Sequence, residues 1–213
     1  MQDYKREFIE LAMAREVLQF GEFTLKSGRK SPFFFNFGKF HTGKDMSLIG
    51  KAYAAVIKEK GIEFDVMFGT AYKGIPIAAV TAAALYDQYG EDNNYCYNRK
   101  EAKTHGEGGN IVGAKLEGKT LLVDDVMTAG TAIKEAAGMV KDAGAELGCI
   151  LIALDRQEKG AGDLSAVQEI EKTFDIPVHS IITLSDVLTY LEGRADMAED
   201  LKNLYAYKEQ YGI

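Results

Sequence analysis

The sequence predicts an α/β fold in which a twisted parallel sheet is flanked by helices and preceded by a small N-terminal α+β hood. Two observations carry this. From Phe64 onward, apolar β-prone runs alternate with helical patterns through glycine-bearing turns, as parallel β-α units require. Before Phe64, two short aromatic-rich runs flank a turn, the mark of a hairpin. With 213 residues, 46% of them hydrophobic, 27% charged and only 3 prolines, the chain has the composition of an ordinary globular protein without low-complexity tracts. We expect a single domain over 1–213, with the hood mainly at 1–40, the core at about 44–190 and a lid loop at about 99–112.

Taken in order, Tyr4 to Leu18 place Phe8, Leu11, Ala12 and Leu18 on one helical face until Gly21 interrupts the pattern. The runs FTL and PFFFN flank KSGRKS, a turn composition, and read as a hairpin. A second helix carries Ile49, Ala52, Tyr53, Val56 and Ile57 to a stop at Gly61. Then come FDVMFG and GIPIAAVTAAALYDQYG, TLLVDD and TAIKEAAGMVKDAG, CILIALD and SAVQEIEKTFD, and PVHSIIT, each strand but the last paired with a following helix. Ligands of such sheets sit at the carboxyl ends of the strands, which nominates Thr70 to Gly74, Asp124 to Thr131 and Asp155 to Gln157. Between the first two units, NRKEAKTHGEGGN from Asn98 to Asn110 has no apolar periodicity and reads as a long mobile loop.

Charge and cysteine usage exclude several classes. A net charge of -7 argues against a general nucleic-acid or acidic-membrane binder. The start MQDYKREFIE is charged and amphipathic, and no apolar run approaches the ~18 residues of a membrane span, so a cytoplasmic protein without membrane association is expected. Cys96 and Cys149 lack metal-site or disulfide spacing and read as buried thiols. His41 and His179 have no constellation around them and read as structural.

GAKLEGKT, Gly113 to Thr120, spells the G-x-x-x-x-G-K-[ST] of a P-loop. A working P-loop has a strand before its glycines and a helix after Lys-Ser/Thr, whose first N–H groups help hold the phosphates. Here the order is reversed: the glycine-rich loop precedes and a buried strand pattern follows, so Gly118-Lys119 is a turn into a strand and the match is accidental. The segment beyond that strand is more informative. Asp124-Asp125 lead through Val126, Met127, Thr128, Ala129, Gly130, Thr131 and Ala132 into a helix, placing small residues and hydroxyls at a helix N-terminus. Backbone N–H groups and the helix dipole suit a phosphate there. Two carboxylates beside it suit a ligand that also presents a diol or a magnesium ion.

VDDVMTAGTA resembles the phosphoribosyl-diphosphate (PRPP) binding motif of type I phosphoribosyltransferases. FTLKSGRKSPFFFN, FGTAYKGIP, NRKEAKTHGEGG and ALDRQEKG extend the resemblance over essentially the whole chain to the bacterial, orotate-using members of that family. The resemblance implies Mg²⁺-dependent transfer of a phosphoribosyl group from PRPP to N1 of orotate, with release of pyrophosphate. It assigns PRPP to Lys26, Tyr72, Lys73, Arg99, Lys100, Lys103, His105 and Asp124 to Ala132, and orotate to Lys26, Phe34, Phe35, Thr128 and Arg156. It further implies a homodimer in which Lys100, Lys103 and His105 serve the neighbouring subunit while Arg99 stays nearer its own. Mg²⁺ is expected on the diphosphate and waters rather than in a carboxylate cage.

The residue types suit these tasks. Negative charge grows on departing pyrophosphate, and the cations Lys73, Arg99, Lys100, Lys103 and His105 are the groups that stabilise it. Gly106, Gly108 and Gly109 allow a loop to close over the sugar and exclude water. The Arg156 fork fits a carboxylate or a carbonyl pair. For Asp124 and Asp125 two roles stand: accepting the ribose hydroxyls, or stabilising charge on the sugar ring. Three other classes fit the sequence less well. A purine phosphoribosyltransferase would share the PRPP motif but not Arg156 and the Lys26 hairpin. A PRPP-sensing regulator would lack the cationic lid, and a P-loop NTPase needs the element order this chain reverses.

Overall fold

The computed structural model describes residues 1–25, 27–103, 109–127 and 130–213, with side chains described at these positions except 100–103 and 109. The N-terminal helix α1 (Asp3–Ala14) buries Phe8, Ile9 and Ala12. It ends four residues before the expected Leu18: Glu16 takes a left-handed φ of 53°, and the Val17 N–H turns back to donate to the Ala12 carbonyl at 2.7 Å. Leu18 is buried all the same, but as the first residue of strand β1 (Leu18–Thr24). A helical wheel accepts Leu18 because strand and helix both bury it.

Strand β1 pairs antiparallel with β2 (Lys30–Phe35), giving the expected hairpin with Phe20 opposite Phe33 and Thr24 opposite Lys30. Alternation along β2 sends Ser31, Phe33 and Phe35 inward and leaves Phe34 at the surface. Helix α2 (Gly43–Lys60) buries Ile49, Ala52, Tyr53, Val56 and Ile57, and stops at Gly61, whose φ of 60° is the left-handed cap that glycine supplies.

Among the described residues a six-stranded sheet follows in the order β5-β4-β3-β6-β7-β8. Its elements are β3 (Val66–Gly69), helix α3 (Gly74–Tyr89), β4 (Asn94–Lys103), β5 (Gly109–Gly113), β6 (Lys119–Val123), α4 (Thr131–Asp142), β7 (Glu146–Asp155), α5 (Ala166–Phe174) and β8 (Val178–Thr183). Helices α6 (Leu184–Glu192) and α7 (Ala198–Tyr211) close the chain. All pairings are parallel except β4 with β5, an antiparallel edge. The arms of NRKEAKTHGEGGN are therefore strands rather than loop. Tyr97 pairs with Val112, Asn98 with Ile111 and Lys103 with Gly109, and residues 104–108 at the tip lie outside the described residues. Backbone pairing at a sheet edge needs no apolar period, so this hairpin is silent to a periodicity search.

The sheet separates two cores. Met67, Leu121, Leu151 and Ala153 pack with α1, α2, α3, α6, α7 and the hairpin, while Val66, Phe68, Leu122, Ile150 and Ile152 pack with α4 and α5. Such burial on both faces explains the continuous apolar runs, each fully buried Ile or Leu contributing about 1.5–3 kcal/mol. The P-loop pattern falls where predicted: Gly118 turns with φ 70°, and the Lys119 N–H donates to Asp65 Oδ2 at 2.6 Å as β6 begins. Cys96 and Cys149 are free and buried, and burial pushes both thiols up to about 12. Among the described residues no helix is long and apolar enough to cross a membrane.

Candidate active site

The strand order places a topological switch between β3 and β6. From β3 the chain passes through α3 to β4 on one side, and from β6 it passes through α4 to β7 on the other. The two connections diverge and leave a crevice at the carboxyl ends of the adjacent central strands, where such sheets bind ligands. Thr70 to Gly74 leave β3 and Asp124 to Thr131 leave β6, so two nominated segments meet across one seam.

The seam is tight. A Cβ on Gly74 would lie 2.6 Å from the Val123 carbonyl oxygen and 2.8 Å from Thr70 Oγ1, and one on Gly69 would lie 2.3 Å from the Gly74 carbonyl oxygen. Only hydrogen fits there, which lets the turn after β3 close against the end of β6. The Ala71 N–H donates to Asn98 Oδ1 at 2.7 Å, fixing that turn to β4. Within it the Ala71–Tyr72 peptide is cis, and Tyr72 is largely exposed.

Lys73 Nζ stands 2.5 Å from Asp125 Oδ2, an ion pair across the seam with the lysine half exposed and the carboxylate buried. Asp124 is buried beside it, with Oδ1 accepting the Asp125 N–H at 2.9 Å. Burial first, and the Asp125 charge second, push the Asp124 carboxyl up from 3.8 to about 6. Thr70 Oγ1 lies near enough to oppose this in part, yet among the described residues it makes no bond of proper hydrogen-bond geometry. Beneath, the fully buried Tyr53 hydroxyl donates to the Asp124 carbonyl oxygen at 2.7 Å, and burial followed by the charges of Asp125 and Asp124 raises its pKa. The sequence marks Tyr53 only as a core position of α2; its hydroxyl, which needs a partner once buried, is the signal that it also braces the site.

Helix α4 opens at the same crevice. Gly130 is its N-cap with φ 68° and supplies no side-chain cap for the first N–H groups, from Thr131 and Ala132 onward, which suit an anion. Away from the crevice, α2, α5 and α6 close their N-termini with capping boxes built on Thr42, Ser165 and Thr183. Val126 bridges to Leu154 of β7, and Met127 is buried in the α4 core, so both contribute to the crevice through backbone. Thr128 and Ala129 lie outside the described residues.

A cavity of about 290 Å³ adjoins the seam, lined by Thr70, Ala71, Asn98, Arg99, Ala132 and Glu135 among others. Arg99 Nη1 is buried there without a hydrogen-bond partner among the described residues, a donor suited to an anion. The side chains of Lys100 and Lys103, and all of His105 and Lys26, lie outside the described residues.

Arg156, immediately beyond β7, marks the neighbouring strand end. Its guanidinium lies 3.9 Å over the Phe33 ring, Nη2 donates to Ser31 Oγ at 3.0 Å, and Nε is 3.0 Å from Glu158 Oε1. That last contact is an ion pair whose angle falls outside hydrogen-bond geometry. Arg156 thus ties the hairpin to the sheet beside the crevice. Phe34 stacks on Phe23 at 5.5 Å on the exposed side of the hairpin, whereas the Phe35 ring packs in the core at 6.5 Å from Phe8, so only its backbone is available on the strand. The His41 ring meets the Lys39 carbonyl through Nδ1 at 2.6 Å.

Comparison with known proteins agrees with this geometry. Residues 39–180 match the model of the phosphoribosyl transferase domain. The chain is 59% identical to the orotate phosphoribosyltransferase of Vibrio vulnificus and 57% to that of Klebsiella pneumoniae, over 100% of both chains in each case. The crystal structure of the Francisella tularensis orotate phosphoribosyltransferase is 39% identical, with a TM-score of 0.87 over 97% of this chain and 100% of that one. With the switch-point crevice, its carboxylate pair and its glycine-capped helix in place, the chain belongs to the phosphoribosyltransferase family, among the orotate phosphoribosyltransferases.

Proposed function

We propose a division of labour for this orotate phosphoribosyltransferase, which moves the 5-phosphoribosyl group of PRPP to N1 of orotate, giving orotidine 5'-monophosphate and pyrophosphate for pyrimidine biosynthesis. The observation that carries it is the meeting of Lys73, Asp124, Asp125 and the start of α4 at one seam. The 5-phosphate takes the N–H groups at Gly130 to Ala132, with Thr128 and Thr131 hydroxyls beside them. The ribose diol is accepted by Asp124 and Asp125, which are acceptors when ionised. Diphosphate lies along Tyr72 and Lys73 toward Arg99, whose buried Nη1, without a hydrogen-bond partner among the described residues, supports this placement. As the C1–O bond breaks, these cations stabilise the charge collecting on pyrophosphate.

Among the described residues no group of three or more His, Cys, Asp or Glu side chains could hold a metal, and Lys73 already engages Asp125. That donor set suits Mg²⁺ arriving on the diphosphate with its waters, held near Asp124 and Asp125. When bound, it would neutralise diphosphate charge and favour departure of pyrophosphate.

Orotate is placed at the hairpin, its carboxylate or carbonyls toward Arg156 and its ring near Phe34, with Lys26 bridging to the diphosphate. The working unit is a cytoplasmic homodimer of single-domain chains. The hairpin of β4 and β5 carries Lys100, Lys103 and His105 to the neighbour's site, while Arg99 serves its own, in keeping with its place beside Thr70 and Ala132 of the same chain. The test is to mix protein, Mg²⁺, PRPP and orotate and follow orotate absorbance. Loss with orotate, and none with hypoxanthine or uracil as acceptor or with ATP replacing PRPP, is expected; ATP hydrolysis without PRPP would overturn the assignment.

A further inference from the structure

Glu158 sits at a junction between the Arg156 strand end and helix α7. One carboxylate oxygen lies 3.0 Å from Arg156 Nε, and the other accepts the Tyr207 hydroxyl at 2.6 Å from helix α7. Tyr207 also meets Phe33, the ring under the Arg156 guanidinium, edge-on at 6.1 Å. The segment following Arg156 is held from the same side. The Lys159 N–H donates to the Tyr211 carbonyl at 2.8 Å, and the Ile213 N–H donates to the Gln157 carbonyl at 3.2 Å. Arg29 of the hairpin turn donates to the Lys159 carbonyl at 2.8 Å and lies 4.6 Å over the Tyr211 ring.

We propose that Glu158 and Tyr207 are positioning residues for orotate: through them the C-terminal helix holds the Arg156 guanidinium flat on Phe33, in the orientation that reads the substrate. This rests on the assignment of Arg156 to orotate made above. An arginine side chain loses rotamer freedom when it engages a ligand, and fixing it beforehand removes that loss from binding. A carboxylate beside the guanidinium also weakens its pull on a second anion, so Glu158 can favour orotate only through orientation. Tyr207→Phe therefore isolates the effect, since it removes the tether and leaves every charge in place.

The experiment compares Tyr207→Phe, Glu158→Ala, Glu158→Gln and Arg156→Ala, each checked for folding by circular dichroism, in both directions of the reaction. Tyr207→Phe is expected to raise KM for orotate, and for orotidine 5'-monophosphate in reverse, about fivefold, and Glu158→Ala about tenfold. KM for PRPP and pyrophosphate stays within about twofold, because the seam between β3 and β6 is untouched. Glu158→Gln keeps an acceptor for Arg156 and a group for Tyr207, and stays nearer the parent than Glu158→Ala. If Arg156→Ala raises KM for orotate while Tyr207→Phe and Glu158→Ala leave it alone, the positioning role is overturned and the Arg156 assignment survives. If Arg156→Ala also changes nothing, that assignment falls. Equal rises for orotate and PRPP would likewise overturn the proposal.

Discussion

The Asp124 carboxyl makes the apoprotein less stable than it could be, and Asp124→Asn measures by how much. Its pKa rises from 3.8 to about 6 in the folded chain, chiefly through burial and then through Asp125. In the unfolded chain the group ionises as pH passes 3.8, but the folded state resists until about 6. Stability tied to this group is therefore retained below the unfolded value, lost between the two, and fully lost above the folded one. At about 1.4 kcal/mol per pH unit the loss at pH 8 is roughly 3 kcal/mol, and at pH 4.5 about a third of that. Asparagine preserves an acceptor for the Asp125 N–H, now 2.9 Å from Oδ1, and removes the charge. With a conversion of roughly 2–4 °C per kcal/mol for a chain of this size, Asp124→Asn should melt at least ~5 °C higher than the parent at pH 8 without ligands, and about 2 °C higher at pH 4.5. The same variant should lose about one to two decades of kcat/KM for PRPP, because an ionised acceptor for the ribose is gone. An equal melting gain at both pH values, or none at pH 8, would refute the reasoning.

Three further outcomes are expected. Lys103→Ala should cut turnover by about one to two decades while orotate binding, measured by titration, changes little; unchanged turnover would remove Lys103 from the mechanism. Mixing Lys103→Ala with Asp125→Asn subunits should restore activity by leaving one intact site per heterodimer, and no recovery in verified heterodimers would count against sharing. Gly74→Ala forces a Cβ to 2.6 Å from the Val123 carbonyl oxygen, so it should destabilise by about 1–3 kcal/mol and raise KM for PRPP. A parent-like melting point would mean the seam is looser than its geometry.

Fold class, the order of the β-α units and the strand ends that bear chemistry were legible because hydrophobic period and turn chemistry are local properties. Ile49 to Ile57 repeat on a helix face, and runs such as CILIALD are apolar throughout because both faces of the sheet are covered. The same local rules misplaced Leu18, which two element types bury equally well, and passed over β4 and β5, whose pairing is made by backbone at a sheet edge. Sequence named Lys73 and Asp125 separately; that they stand 2.5 Å apart follows only from β3 and β6 being neighbours. Packing likewise turned Tyr53 from a core residue into a brace for Asp124, buried the Phe35 ring while leaving Phe34 outside, and brought Tyr207 to Glu158 and Arg156 from the far end of the chain. Strand order, the resulting crevice and the pKa of a carboxyl within it depend on contacts between residues distant in sequence, and no local pattern encodes those.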